Sequence, residues 1–274
     1  MRALSRVRTP LRLCLVGWGA INRRVAELLK ERHGDDVVFA AVALADIADA
    51  IGVPDNVPVI TDPSVLWELE LDLVVEAAGR GAVAQWGEHA LRHAGGLVVA
   101  SASAFCDDDL FERLQRAARE YGSQLIVPPG ALAGIDAIAA AAALPLEAVT
   151  HRIIKPPRAW AGTAAEQILT LDAVVSPTTF FSGSAREAAS RFPQNANVSA
   201  VAALSGIGLD RTEVELVADP SAETNRHELA VNGEFGRLNI VIENRPLVSN
   251  PKSSEMAALS LVRLIENRFV PLVR

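Results

Sequence analysis

Apolar and polar positions follow two different periods along LRLCLVGWGAINRRVAELLK, residues 11–30. Residues 11–16 form a short apolar run, and apolar residues then recur from Ile21 onward at the spacing of a helix. Two glycines, Gly17 and Gly19, stand between the two patterns. The stretch therefore predicts a strand, a tight turn and a helix.

The same change of period repeats through the first half of the chain. Strand-like apolar runs occur at VVFAAVALAD (37–46), LDLVVEAAG (71–79), GGLVVASAS (95–103) and SQLIVPPGALAG. Helical patterns lie between them, at WGEHALRHA and DDDLFERLQRAAREYG. Regular alternation of strand and helix predicts an α/β fold with a doubly wound parallel sheet of the Rossmann type.

Beyond residue 130 the pattern changes to several strand-like runs separated by turn signals, with helices at GIDAIAAAAAL, SAREAASRF and NANVSAVAALSGIG. We therefore predict a Rossmann domain over 1–130 and an α+β domain over 131–251. A last helix, within 252–274, is expected to begin at Ser253 or Ser254 as N-cap and to pack back on the first domain.

Composition narrows the function classes. The 274 residues include 50% apolar and 22% charged residues, and the net charge of −7 gives no basis for a nucleic-acid partner. No apolar run approaches the roughly 20 residues that span a bilayer, so no membrane association is expected. Cys14 and Cys106 match neither a disulfide framework nor a metal motif, which favours the reducing cytoplasm. The arginine-containing leader 1–10 suggests a solvated arm, with a transit peptide as the alternative.

The glycine turn is the first candidate site. Such a turn leaves backbone N–H groups unpaired at the start of a helix, where the dipole favours a dinucleotide pyrophosphate, here over Gly17, Gly19, Ala20 and Ile21. The usual G-x-G-x-x-G/A pattern is incomplete, because Asn22 occupies its third position. The alternative is an ordinary strand-to-helix turn.

Several separated segments resemble one family, the L-aspartate dehydrogenases, over nearly the whole chain. They are GWGAIN, VVEAAG, PPGALAGIDAI, KPPRAWAGT, GSAREAASRFPQNANV and ADPSAETNRHE. The resemblance implies an NAD- or NADP-binding Rossmann domain and an α+β domain that supplies the catalytic residue and a homodimer contact. It also implies oxidative deamination of L-aspartate to iminoaspartate, then oxaloacetate and ammonia, or the reverse amination, with a link to NAD biosynthesis.

Site residues follow by position. The resemblance places the catalytic histidine at His227 in NRHE, and cofactor contacts at Ala131 and Asn197 in addition to Ala78 and Gly79. A histidine is a suitable base for an amine near neutral pH. From the residues alone, the favoured interpretation of His227 is an exposed histidine on a strand, and that of Asn197 is a helix N-cap. The resemblance reverses the choice for His227.

A dicarboxylate substrate needs cationic partners, for which Lys155 is the first candidate and Arg158 the second. The alternative for both is a solvated surface charge. His89 and His93 have metal-ligand spacing on a predicted helix, but the sequence offers no third ligand, so no metal is expected.

Cofactor preference is predicted from the end of the second strand. Asp46 is placed to accept hydrogen bonds from ribose hydroxyls and to repel a 2′-phosphate, and no Lys or Arg occurs between residues 33 and 79. We therefore expect NAD to be preferred, with NADP accepted; in the alternative, Asp46 merely caps the next turn. Competing functions are a homoserine dehydrogenase or dihydrodipicolinate reductase relative and a non-catalytic NAD-sensing protein.

Overall fold

The computed structural model describes residues 10–273, without the side chains of residues 194, 251 and 252. The expected N-terminal arm over 1–9 lies outside the described residues. The chain divides into two compact units. Of the described residues, 10–99, 112–126 and 261–273 form the first unit, and 100–111 and 127–260 form the second.

The first unit is built on a six-stranded parallel sheet. Its strands are β1 (Leu11–Val16), β2 (Val37–Ala43), β3 (Val59–Ile60), β4 (Leu73–Glu76), β5 (Gly96–Val99) and β6 (Gln124–Ile126). Its helices are α1 (Ala20–His33) and α2 (Arg80–His93), together with most of α3 (Asp108–Tyr121). The strand order β3-β2-β1-β4-β5-β6 is that of the Rossmann fold, so the predicted fold class is confirmed.

Burial on both faces of the sheet explains why the sequences of these strands are continuous apolar runs. All four residues of β4 and the last four of β1 are buried, as expected for a parallel sheet covered on both faces. The end of the chain belongs to this unit as well: Glu266 accepts hydrogen bonds from Arg32 at 2.7 Å and His33 at 2.6 Å, both at the end of α1.

The second unit is an α+β structure. Its strands are β7 (Leu146–Lys155), β8 (Thr178–Ser184), β9 (Glu213–Ala218), β10 (Asn225–Gly233), β11 (Gly236–Asn244), β12 (Pro246–Leu247) and β13 (Asn250–Ser254). Its helices are α4 (Ile135–Ala141), α5 (Ala185–Arg191), α6 (Ala196–Ser205) and the first half of α7 (Glu255–Glu266). The five-stranded sheet has the order β11-β10-β7-β9-β8, and all neighbours are antiparallel except β7 and β9.

One face of this sheet forms the core of the second unit. Val149 and Ile153 on β7, Leu216 on β9 and Leu229 on β10 are each at most 2% exposed. They belong to one cluster that includes the alanine-rich helix α6. Small side chains on α6 bring the helix close to the sheet, which positions the residues of β7 and β10 discussed below.

The segment over 100–111 differs from its predicted place. The apolar pattern predicted a strand to residue 103 within the first domain, but β5 ends at Val99 and Ala102–Cys106 form a short 3-10 helix. Ala102 packs in the core of the second unit, and Arg186 donates to the Cys106 carbonyl at 2.8 Å. These contacts assign the segment to the second unit. Within the described residues, no helix is long and apolar enough to cross a membrane.

Candidate functional site

The glycine turn borders a cleft of about 670 Å³ in the first unit. Gly17 has φ +88°, and an added Cβ would lie 2.7 Å from the Ala78 Cβ, so only glycine fits. Gly19 is the N-cap of α1, and an added Cβ there would meet nothing within 4 Å. The backbone is thus closely packed at Gly17 and open to the cleft at Gly19.

This cleft fits a dinucleotide. Helix α1 begins without a side-chain cap and without an acidic residue in its first turn, so its first N–H groups are available to an anion. A second glycine, Gly79, is the N-cap of α2, and no side chain caps the start of that helix. The cleft is lined by four of the residues that were predicted for the cofactor site: Gly17, Gly19, Ala78 and Gly79. Ala20 and Ile21 open α1 but are not among its lining residues.

Asn22 takes a structural role in place of the usual third glycine. Its side chain is completely buried, and its Nδ2 donates to the carbonyls of Val16 at 3.0 Å and Gly17 at 2.8 Å. The amide therefore joins the first turn of α1 to the end of β1. Close helix-strand packing, which glycine normally allows, is replaced here by two hydrogen bonds.

The segment after β2 presents two carboxylates. Asp46 is exposed, and its Oδ1 accepts from the Ala48 N–H at 2.9 Å, so it caps the short 3-10 helix that follows. Asp49, which the sequence did not single out, lines the cleft. The structure thus shows the capping contact expected in the alternative for Asp46. Within the described part of the chain, no hydrogen bond occupies its second carboxylate oxygen.

A cation also contacts this segment. Arg23 on α1 donates from Nε to the Trp18 carbonyl and from Nη2 to the Ile51 carbonyl, both at 2.8 Å. Arg23 therefore links the glycine turn to the loop after β2. Arg23 and Ile51 are 28 residues apart in the sequence, so this contact is evident only from the fold.

His227 lies in the second unit, on β10. The residue is 5% exposed, so the alternative of an exposed strand histidine is wrong. Burial, reinforced by the positive charge of Lys155, lowers the pKa of His227 from 6.5 to about 3. The imidazole is therefore neutral at physiological pH, and it has a lone pair with which to accept a proton.

Lys155 ends β7 and contacts a buried amide. Its Nζ lies 2.6 Å from the Asn195 Oδ1 and 4.8 Å from the centre of the Trp160 ring. Burial lowers the pKa of Lys155 from 10.5 to about 8. Asn195 is 4% exposed, and its Nδ2 has no hydrogen-bond partner in the described part of the chain. This pair offers an ammonium and an amide donor side by side.

Strand register brings these groups together. His227 is opposite Ile153, so His151 and Lys155 lie on either side of it on the same face of β7. The His151 Nε2 is 3.1 Å from the His227 Nδ1, and His151 is completely buried. Burial and the neighbouring His227 hold the pKa of His151 well below its usual value.

The remaining predicted residues are more dispersed. Asn197 lies in the first turn of α6, and its Oδ1 accepts from the Ser103 N–H at 3.1 Å. The alternative of an N-cap at Asn197 is wrong, because Asn195 occupies that position. Ala131 is 8% exposed, and its carbonyl accepts from the Asn244 Nδ2 at 2.8 Å.

Arg158 is exposed on a short 3-10 helix, and no hydrogen bond or ion pair joins it to the buried group among the described residues. His89 and His93 lie on α2. The described residues contain no cluster of three or more His, Cys, Asp or Glu placed to hold a metal ion.

Sequence reasoning missed His151 and Asn195. His151, Ile153 and Lys155 have the period of two that places side chains on one strand face, and this signal is visible in VTHRIIK. Asn195 stands two residues before the asparagine that was singled out, in FPQNANV. Nothing in the sequence distinguishes the amide that contacts Lys155 from its neighbour.

A Rossmann sheet with an open glycine cleft, and an α+β unit in which a buried histidine lies near a partly buried lysine, define a pyridine-nucleotide-dependent oxidoreductase. Residues 17–128 match the family model described as homoserine dehydrogenase, NAD binding domain, and residues 136–268 match aspartate dehydrogenase, C-terminal. An L-aspartate dehydrogenase of Brucella anthropi is 54% identical over 257 residues, covering 93% of this chain and 96% of that protein. One of Serratia proteamaculans is 42% identical, covering 94% of this chain and 99% of that protein. The chain belongs to the L-aspartate dehydrogenase family, and the predicted resemblance is confirmed.

Solved structures agree on the fold. The aspartate dehydrogenase of Thermotoga maritima is similar with a TM-score of 0.77 at 24% identity, covering 96% of this chain and 99% of that one. A hyperthermophilic archaeal homoserine dehydrogenase in complex with NADPH has a TM-score of 0.60 at 10% identity, covering 97% of this chain and 100% of that one. At these identities the likeness concerns the fold alone.

Proposed function

We propose that this protein catalyses the pyridine-nucleotide-dependent oxidation of L-aspartate to iminoaspartate, which water converts to oxaloacetate and ammonia, and the reverse amination. The observation that carries the proposal is the group formed by the buried His227 and Asn195 with the partly buried Lys155, in a chain of the L-aspartate dehydrogenase family. The α-hydrogen leaves as hydride, the nitrogen gives up a proton, and the C–N bond becomes a double bond.

The bound nicotinamide supplies the hydride acceptor. The chain's own contribution at the reacting nitrogen is His227, whose neutral imidazole takes the proton that the substrate ammonium must lose before hydride departs. Burial keeps that imidazole unprotonated in the free protein. The negative charges of a bound dicarboxylate raise its pKa, which makes the same ring a stronger base when substrate is present.

Lys155 and Asn195 bind a substrate carboxylate in this proposal. The Lys155 ammonium supplies charge, and the unpartnered Asn195 Nδ2 supplies directed N–H donors. A carboxylate would also satisfy a buried amide that has no partner in the described structure. Arg158, on its exposed helix, has no comparable support.

NAD is the proposed preferred cofactor, with NADP accepted. The absence of Lys and Arg between residues 33 and 79, together with the carboxylates of Asp46 and Asp49, disfavours a 2′-phosphate near the end of β2. Arg23 donates from Nη2 to the Ile51 carbonyl of this segment and from Nε to the Trp18 carbonyl of the glycine turn, so both of these donors are already used by backbone carbonyls. Ala131 and Asn197 are retained as proposed cofactor contacts, on the family resemblance alone.

We also propose a cytoplasmic homodimer. Two free cysteines suit a reducing compartment. The face of the five-stranded sheet opposite the core exposes Val241 at 63%, beside charged residues of β7 and β10, and such a mixed apolar and charged face is suited to a second copy. Light scattering after gel filtration measures the mass: a monomer at micromolar concentration would contradict this part of the proposal.

The activity is tested by following reduced nicotinamide when purified protein is given NAD or NADP with L-aspartate, D-aspartate, L-glutamate or L-homoserine. We expect turnover with L-aspartate and, in reverse, with oxaloacetate and ammonia. Turnover only with L-homoserine would establish the homoserine dehydrogenase alternative. Cofactor binding without turnover on any of these would establish the NAD-sensing alternative.

His227→Ala tests the catalytic assignment. We expect turnover to fall by about 10²- to 10⁴-fold, the usual contribution of a general acid or base, with cofactor affinity unchanged. His89→Ala, which removes an exposed histidine on α2, is the matched control. If His227→Ala turned over as fast as the wild type at neutral and alkaline pH, His227 would have no part in the mechanism.

A further inference from the structure

His151 shares a hydrogen bond with His227, and this contact has consequences for the proposed base. The two rings lie on the same face of β7 and β10, with centres 5.3 Å apart and planes inclined by 34°. The His151 Nε2 and His227 Nδ1 are 3.1 Å apart. Among the described residues, neither the His151 Nδ1 nor the His227 Nε2 has a hydrogen-bond partner.

Only one of the two facing nitrogens carries the hydrogen, because burial keeps both rings neutral. If His151 donates from Nε2, the hydrogen of His227 is on its own Nε2, and His227 has no free lone pair. If His227 donates from Nδ1, its Nε2 keeps the lone pair, and His151 carries its hydrogen on Nδ1. A base at His227 therefore requires the second arrangement.

The charge of Lys155 favours that second arrangement. Lys155 lies on the other side of His227 from His151 in the strand register, and its ammonium acts on the His227 ring. A nearby positive charge is attracted by a lone pair and repelled by an N–H group, so it favours the tautomer in which the His227 Nε2 carries the lone pair. Lys155 is the charged side chain whose effect adds to burial in lowering the pKa of His227.

We propose that His151 is a positioning residue that accepts the His227 Nδ1–H and thereby presents the His227 Nε2 as the basic atom. The inference rests on the proposed function of His227. After His227 takes the substrate proton on Nε2, the same Nδ1–H bond to the neutral His151 remains. Because the acceptor is uncharged, it orients the ring without stabilising the imidazolium as strongly as a carboxylate does.

The tautomer is measured directly by ¹⁵N NMR of the full-length protein labelled at its five histidines, with cofactor and substrate absent. We expect His227 to show a protonated Nδ1 and an unprotonated Nε2, and His227→Gln assigns the signals by their loss. A protonated Nε2 would overturn the proposal. This readout is independent of turnover, so inactivity with L-aspartate contradicts the proposed function alone.

Variants of His151 separate positioning from packing. In His151→Gln the amide oxygen reaches the place of Nε2, and this variant should retain most of kcat/KM. His151→Phe fills similar space without an acceptor and should lose about 10- to 100-fold, part of what a positioned base contributes. Val149→Ala, on the same face of β7 and 2% exposed, controls for a weakened core and should leave kcat/KM unchanged. Equal losses in the Gln and Phe variants would contradict the proposed acceptor role.

His151→Glu adds the charge that the native pair lacks. It should raise the pKa of His227 and move the acid limb of the kcat/KM profile to higher pH, whereas His151→Gln should leave that limb in place. An unmoved limb in His151→Glu would mean that the residue at 151 does not act on His227.

Discussion

The Nζ of Lys155 lies 2.6 Å from the Oδ1 of Asn195, and this contact fixes which way the Asn195 amide faces. An ammonium only donates hydrogen bonds, so the amide oxygen must be the atom that meets it. The NH₂ group is consequently turned away from Lys155, buried and without a partner in the described structure. Two donors of different charge thus stand next to each other.

Dicarboxylate binding should weaken above about pH 8. Burial lowers the pKa of Lys155 to about 8, so the ammonium is present below that pH and is lost as pH rises through it. Succinate has both carboxylates of the proposed substrate but no amine, so its competitive inhibition reports Lys155 without the substrate's own titration. We expect its inhibition constant to rise about tenfold per pH unit above the pKa.

Lys155→Arg keeps its charge at every pH tested and should abolish that alkaline limb. Arg158→Met, which removes an exposed cation three residues away, is the control and should retain the limb. Asn195→Leu should weaken succinate at all pH values, by about 10- to 100-fold, the usual worth of a hydrogen bond to a charged group. A limb unchanged in Lys155→Arg would show that Lys155 does not bind the carboxylate.

Substitutions at the two glycines of the turn should separate binding from folding. A valine at Gly19 meets nothing at its Cβ position, so the protein should fold normally, but its side chain would occupy space in the cleft. We expect Gly19→Val to lose NAD affinity in calorimetric titration while its melting temperature stays near that of the wild type. Unchanged NAD affinity would remove the turn from the cofactor site.

Gly17→Ala is the matched opposite case. Gly17 has φ +88°, and an added Cβ would lie 2.7 Å from the Ala78 Cβ. Strain at positive φ costs about 1–2 kcal/mol before the clash is counted, so this variant should melt at a clearly lower temperature. A melting temperature equal to that of Gly19→Val would contradict the described packing of the turn.

The sequence predicted the fold well because its strongest signals are local. The change from strand to helix period at Gly17 and Gly19 is visible without tertiary information, and the alternation of strands and helices predicts the doubly wound fold class. The segment at 100–111 was misplaced because its apolar residues fit either core equally well. Only contacts such as Arg186 with the Cys106 carbonyl decide between the two.

The candidate site was predictable only in part. His227 was found by resemblance, whereas its burial depends on the helices that cover the sheet. His151 was missed although it shares a strand face with Lys155, because pairing it with His227 requires the register of β7 against β10. Asn22 shows the converse: a departure from the glycine pattern is accommodated by hydrogen bonds to Val16 and Gly17 that the pattern itself does not indicate.

Acid should destabilise the protein through its two buried histidines. Burial lowers the pKa of both His151 and His227 below 6.5, so between pH 6.5 and the folded-state values the unfolded chain binds protons that the folded chain does not. Stability is therefore lost as pH falls below about 6.5. Each histidine contributes up to about 1.4 kcal/mol per pH unit to the slope of the free energy of unfolding.

Urea denaturation between pH 6 and 4 measures that slope. The double variant His151→Gln, His227→Gln should show a shallower dependence, by up to about 2.8 kcal/mol per pH unit. His89→Gln, at an exposed position on α2, should behave like the wild type. Identical slopes in the wild type and the double variant would show that these histidines do not remain neutral in the folded state.

Cofactor preference should depend on the carboxylates after β2. We expect a higher kcat/KM with NAD than with NADP, because Asp46 and Asp49 are available to ribose hydroxyls and residues 33–79 contain no Lys or Arg to pair with a 2′-phosphate. The nearby Arg23 already donates to the Ile51 carbonyl. Serine at position 46 still caps the short helix that begins with Asp46 as N-cap, so Asp46→Ser removes charge while keeping the local fold. Loss of a hydrogen bond to a charged group should lower the NAD to NADP ratio of kcat/KM about tenfold.

Asp49→Ser makes the same change at a residue that lines the cleft, and comparing the two variants identifies the carboxylate responsible. A wild-type preference for NADP, or a ratio that neither substitution moves, would show that this segment does not set the choice.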